Sequence, residues 1–207
     1  MLLTATVIVC DAQSVTCTMN SIVTLTPTPK LTPENSANSI IQVDYFVGLG
    51  RPVQTVQVHG SSSDTDLATR QVYDKYGQVT ENWLPVPASR NYGAYVSSFN
   101  SKSKSAYSNN SRAYTKTEYE PSPLARPVAV YSPGTEMASH PATIKYATNK
   151  ENEVIKYAMS SENIVSNGNH QPGTLFVRID VDQDGCTTKT YTDKLGYLIF
   201  ERRINGN

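Results

Sequence analysis

The 207-residue sequence is poor in the residues that most chemistry uses: three cysteines, three histidines and one tryptophan. Cys10, Cys17 and Cys186 form no CxxC pair and no Cys/His cluster, so a structural zinc site has no ligand set. His59, His140 and His170 each lie in sequence rich in Gly, Ser, Pro or Asn and read as surface loop residues rather than general bases. GxSxG, HExxH and P-loop patterns are missing, and no two of the eighteen carboxylates are singled out for glycoside hydrolysis. Eighteen basic side chains balance eighteen acidic ones, which removes the electrostatic footprint of a nucleic-acid binder. The one small basic cluster, Lys102, Lys104 and Arg112, sits among Ser and Asn and reads as solvated surface. No apolar run reaches the roughly 20 residues that a membrane-spanning helix requires.

What the chain has instead is 13 tyrosines among abundant Ser, Thr, Asn and Val, with only 38% hydrophobic and 17% charged residues. That balance suits many short, half-buried strands. Asp44 to Val58 is the clearest example: an aromatic strand, a turn with Gly48 and Gly50, then Arg51 and Pro52, then a strictly alternating strand. The two glycines accept positive φ without steric cost and Pro52 fixes its own φ just past the bend, so the stretch predicts a β-hairpin. Weaker copies follow. Tyr73-Asp74-Lys-Tyr-Gly77-Gln-Val79 turns with Asp74 placed to accept turn amides and Gly77 as the left-handed residue. Arg126-Pro127-Val128 repeats Arg51-Pro52-Val53 after a longer loop. Thr143–Tyr146 and Glu153–Tyr157 predict a further hairpin, and Leu175–Asp182, Thr187–Tyr191 and Tyr197–Ile204 predict the last strands. Tyrosines that precede turns, at 45, 73, 119, 146 and 191, show two short separations alternating with two long ones. This self-similarity predicts stacked hairpin units, each too small to bury its own face.

The expected fold is mainly β, a meander of successive antiparallel hairpins, with one long insertion at 85–112. There Tyr95, Phe99, Lys102 and Ala106 have the spacing of one short helix. Three parts are expected: residues 1–12 as the remnant of a secretory signal, 13–38 as a strand plus a Pro/Thr-rich linker with Pro27, Pro29 and Pro33, and 39–207 as the hairpin domain. Met1 to Val9 has the length of a signal h-region, although no basic residue precedes it. A Cys17–Cys186 disulfide is the weaker alternative to two free thiols.

Two ligand motifs compete with purely structural readings. Asp180, Asp182 and Asp184 alternate before Gly185 as the first half of a calcium loop does, but Tyr191 stands where the bidentate Glu belongs. An Asp-capped hairpin turn is the preferred reading, with no cofactor. Trp83, Tyr92 and Tyr95 are the candidates for a glycan platform, against packing of the same rings in a sheet.

Tyr73-Asp74-Lys-Tyr-Gly77-Gln-Val79 and Tyr191-Thr-Asp193-Lys-Leu-Gly196-Tyr resemble degenerate YD repeats of Rhs proteins. Tyr45-Phe-Val-Gly48-Leu-Gly50-Arg51-Pro52-Val-Gln resembles a segment of an uncharacterised domain on the N-terminal side of many bacterial Rhs-type surface proteins. Glu120-Pro-Ser-Pro-Leu-Ala-Arg126 and Tyr146-Ala-Thr-Asn-Lys-Glu-Asn-Glu-Val are similar to that domain too. The chain departs from the pattern at Gln78 and Tyr197, where the repeats carry Arg, and at Val47, where Asp is frequent. It lacks the Asp-Pro dipeptide of the self-cleaving shell motif, and Asn207 comes too early for a closed shell. The resemblance implies a non-enzymatic scaffold of a secreted or cell-surface protein, capping a shell around a C-terminal effector. Its partners would be downstream repeats or that effector, with no nucleic acid and no integral membrane span. The alternative is an extracellular module that binds glycans or a neighbouring cell surface.

Overall fold

In the computed structural model, described for residues 16, 18–27, 39–89 and 92–205, the chain is mainly β with one short helix. The expected signal remnant, most of the Pro/Thr-rich linker and Cys17 lie outside these residues. By internal contacts the chain falls into two units, Met1–Lys116 with Ser132–Met137, and Thr117–Tyr131 with Ala138–Asn207.

The first unit grows from the alternation in its strands. In β1 (Asn20–Pro27), β2 (Ser39–Phe46), β3 (Pro52–Gln57), β4 (Leu67–Tyr73) and β5 (Val79–Pro87), each strand pairs antiparallel with the one before. The register places Val43, Val56, Ala68 and Val86 directly opposite one another, and all four are fully buried. Each valine in that row contributes on the order of 1.5–3 kcal/mol by leaving water. The adjacent row runs Tyr45, Gln54, Arg70, Trp83. β6 (Tyr114–Tyr119) then pairs with β5, setting Tyr114 opposite Trp83.

The expected insertion starts later than 85, because β5 continues through Pro85 to Pro87. Its predicted helix is α1 (Phe99–Ala106), which lies on β5 and puts Phe99 edge-on to Trp83 at 5.9 Å between ring centres. Ala88, Val96 and Phe99 join the β-row residues in one core.

Three polar side chains pin this excursion to the sheet. The buried Gln54 amide donates to the Val96 carbonyl at 3.2 Å and accepts the Val96 N–H at 2.7 Å, so it acts as a piece of ladder. Buried Asp66 accepts the N–H groups of His59 and Gly93. Tyr45 donates its hydroxyl to the Gly93 carbonyl at 2.6 Å. Gly93 thus satisfies both its backbone groups in the core, at φ 89°. A Cβ there would come within 2.6 Å of Val43.

The second unit has β7 (Pro127–Tyr131), β8 (Ala142–Thr148), β9 (Ile155–Ser160), β10 (Asn163–Asn169), β11 (Phe176–Val181), β12 (Thr187–Thr192) and β13 (Leu198–Ile204). Here the expected hairpin between Thr143–Tyr146 and Glu153–Tyr157 is corrected. β8 pairs with β11, while β9 pairs with β10, a strand that the sequence reading did not assign, in a separate two-stranded hairpin. The reason lies at its base. Buried Asn149 accepts the Leu175 N–H and donates to the carbonyls of His170 and Gln171, so residues on either side of the β9–β10 excursion are drawn together and β11 is delivered to β8. Val154, Leu175, Val177 and Tyr191 form a small core beneath it.

Two glycines separate backbone strain from crowding. Gly50 has φ 71° with no atom within 4 Å of an added Cβ, whereas Gly93 combines φ 89° with the Val43 contact. Gly50→Ala, or the bulkier Gly50→Val, is expected to cost about 1–2 kcal/mol from the left-handed backbone alone. Gly93→Ala adds about 1–3 kcal/mol of overpacking to the same strain. Urea unfolding of the variants checks the order; equal losses would contradict the assigned packing.

Candidate functional site

Four glycine-bearing turns are built alike. From Val47, Asp74, Asp182 and Asp193, the first residue's N–H donates to the carbonyl four residues on, and its own carbonyl accepts the N–H three residues on. The fourth position of each is Gly50, Gly77, Gly185 or Gly196, at φ 71–87°. Gly48 does not adopt positive φ, so only one glycine of the first turn serves as read from sequence. In the three Asp turns one carboxylate oxygen, Oδ1, accepts two further amides, at 2.8–3.0 Å. Asp74 therefore caps its turn as expected.

The same geometry disassembles the calcium motif. Asp182 is occupied by the N–H groups of Asp184 and Cys186, and Asp180 pairs with Arg178 at 2.8 Å on a strand. Among the described residues, no group of three or more His, Cys, Asp or Glu side chains could hold a metal ion. The aromatic platform is not assembled either. Trp83 is buried between Phe99 and Tyr114 and donates its indole N–H to Glu81, and Tyr95 packs edge-on to Tyr45. Only Tyr92 is exposed, 5.6 Å from the His59 ring, and it sits at φ 50°. The histidines have unrelated settings: His59 pairs with exposed Asp64, His140 contacts Ser139, and the His170 backbone closes the β9–β10 base.

What the structure does bring together are the repeated Arg-Pro positions. In the first unit the Tyr73 hydroxyl donates to the Pro52 carbonyl at 2.6 Å, and Arg51 lies over the Tyr73 ring, its guanidinium filling the space beside Gly77. The Arg51-Pro52 of one hairpin is thus locked to the tyrosine and glycine of the next. In the second unit the Tyr146 hydroxyl donates to the Pro127 carbonyl at 3.3 Å, and Arg126 lies 4.1 Å above the Tyr146 ring centre. Arg126 also grips Glu120 through two N–H donors at 2.8 and 2.9 Å.

These contacts set the protonation behaviour. The Arg126 guanidinium and the Ser122 hydroxyl, both donating to Glu120, hold its carboxyl down at about 2. Burial pushes Tyr73 above its ordinary value, against the pull of Arg51. A third polar knot, missed in the sequence, is Glu153: it accepts the Lys150 N–H and the hydroxyl of buried Tyr191, with Lys189 at 3.5 Å. Those bonds lower Glu153, while burial and then Glu153 itself raise Tyr191 to about 12. Each of these groups is engaged with backbone, with its own loop or with a neighbouring strand. An open surface depression of about 340 Å³ is lined by Leu84, Ala113, Pro133, Gly134 and the α1 end around Tyr107.

Two outcomes test the clasps. An Ala at 77 would meet Arg51 at about 2.0 Å, so Gly77→Ala is expected to displace Arg51 from Tyr73 as well as strain the turn. In a double-mutant cycle with Arg51→Ala the two losses should fall short of additivity by about 0.5 kcal/mol or more, whereas strict additivity would show that they do not touch. For Glu120, the folded carboxyl binds its proton less tightly than the unfolded one. The stability advantage of the wild type over Glu120→Gln should be full above the ordinary carboxylate range and should disappear as pH falls toward about 2. A denaturation midpoint difference that is flat with pH would overturn that assignment.

No curated protein and no solved structure compared with the chain matches it. A family model does, over residues 19–150, and the chain belongs to that family, described as a domain of unknown function, DUF6443.

Proposed function

We propose that the chain is a non-enzymatic scaffold segment of a longer Rhs/YD-repeat-type protein, secreted or displayed at the cell surface. In this reading it provides successive hairpins at the cap of a shell, and its partners are further hairpin repeats or an effector domain of the same protein. The observation that supports it is the recurrence of one clasp, Arg51-Pro52 with Tyr73 and Arg126-Pro127 with Tyr146. Polar side chains that would serve catalysis elsewhere are spent here on holding one hairpin to the next. Such chains propagate by nearest-neighbour contacts and gain by adding units. β13 fits that role: it is the last strand of its meander, all seven of its residues are exposed, and its outer backbone groups are suited to accept another strand. No helix among the described residues is long and apolar enough to cross a membrane. The glycan-binding alternative has less support, because Trp83 and Tyr95 are committed to packing.

The deciding experiment is an antibody raised against this chain and used on fractions of the native organism. The reading expects an exported product well above the 22.7 kDa of this sequence, whose additional peptides by mass spectrometry contain further Tyr-Asp-x-x-Gly units. A mature product of 22.7 kDa confined to the cytoplasm would refute it.

A further inference from the structure

One feature of the turns is unused by the clasps and by the scaffold reading. The residue just before the left-handed position is Leu49, Tyr76, Leu124 and Leu195 in four hairpins, exposed by 78, 73, 70 and 79%. Turn chemistry does not ask for an apolar side chain there; Asp, Asn and Lys serve as well. The Asp182–Cys186 turn shows this, with Asp184 at the same position.

Topology sorts the two kinds. In the first unit the antiparallel order puts the β2–β3 and β4–β5 tips, with Leu49 and Tyr76, at one end of the strands, and the Arg51 contact beside Gly77 makes these tips neighbours. In the second unit Leu124 and Leu195 lie on the β6–β7 and β12–β13 tips, while the Asp184 turn joins β11 to β12 at the opposite end. In the second unit, then, the apolar tips with Leu124 and Leu195 lie at one end and the Asp184 turn at the other.

Each apolar tip also carries a cation within two residues: Arg51, Lys75, Arg126 and Lys194. Lys75 and Lys194 are exposed, and the Lys75 ammonium lies 4.9 Å from the centre of the Tyr76 ring. The nearby acids are engaged, since Asp74 and Asp193 accept turn amides and Glu120 is held by Arg126. The tip side chains are 70–79% exposed. They suit a soft partner into which a Leu or Tyr can sink while the adjacent cation meets negative charge.

We propose that these hairpin tips dock the chain on an anionic lipid surface, with Leu49 and Tyr76 entering the headgroup–acyl boundary and Lys75 meeting lipid phosphates. Leu124 and Leu195, the latter with Lys194, do the same from the second unit. The contact is peripheral and is independent of the scaffold reading, because it needs no further repeats.

The test is flotation of the full chain with vesicles of phosphatidylcholine alone and of phosphatidylcholine with phosphatidylglycerol. Binding is expected to the anionic vesicles and to weaken with salt. The double variant Leu49→Ser/Tyr76→Ser should lower the partition coefficient about tenfold or more, and Lys75→Glu should lower it on anionic vesicles only. Melting temperatures should be unchanged, because the side chains replaced are exposed. Failure to float with either vesicle, or equal flotation of wild type and the double variant, overturns the proposal. So does a wild-type oligomer in sedimentation velocity that the double variant dissolves, because the tips would then be pairing copies of the chain.

Discussion

A proline that opens a returning strand has a carbonyl to satisfy and no N–H to offer, and the structure depends on how that carbonyl is met. Both times the donor is a tyrosine hydroxyl from the next strand that runs toward the same turns, Tyr73 to Pro52 and Tyr146 to Pro127. The ring that delivers the hydroxyl then lies under the arginine that precedes the proline. One short Arg-Pro sequence therefore fixes where the next hairpin sits. A buried or half-buried tyrosine with a partner for its hydroxyl keeps both its apolar body and its polar tip satisfied, which explains the heavy use of this residue.

The tyrosines also explain how much of the fold was legible. The strands flanking Gly50, Gly77 and Gly196 could be read because alternation and turn residues agree there, local choice matching global structure. The place of Arg126-Pro127 after its turn followed by likeness to Arg51-Pro52. The β8–β9 pairing was misread because Thr143–Tyr146 and Glu153–Tyr157 look like a hairpin by local criteria alone. What overrides them is Asn149, whose side chain bonds residues more than twenty positions later. Nothing in the residues around Asn149 announces that its amide is buried.

Gln54 is a different case. It stands on the inward phase of β3 with Val56, so its polarity at a core position was a visible anomaly. Its partner, the Val96 backbone, belongs to a stretch without periodicity, and there the sequence offers no means of pairing the two. Asp66 and Gly93 raise the same problem more strongly, because a loop carboxylate and a loop glycine meet only after the sheet has formed. The calcium and platform motifs failed for a related reason. Asp182 and Trp83 have the right chemistry for ligands, but the backbone and the core reach them first.

The ordering of these contacts bears on what kind of molecule this is. In the first unit a continuous row of fully buried residues and a docked excursion supply a core in the ordinary sense, whereas the second has three buried residues around Tyr191 and polar knots at Asn149 and Glu153. In that second unit β13 is exposed along its whole length. Catalytic sites need rigid, pre-placed groups that are left unsatisfied until substrate arrives. Here Asp74 and Asp193 are held by backbone amides, Glu120 by Arg126 and Ser122, and Glu153 by the Lys150 N–H, the Tyr191 hydroxyl and Lys189. Two of these groups, Asp74 and Asp193, sit in turns whose next-to-glycine side chains, Tyr76 and Leu195, stand exposed.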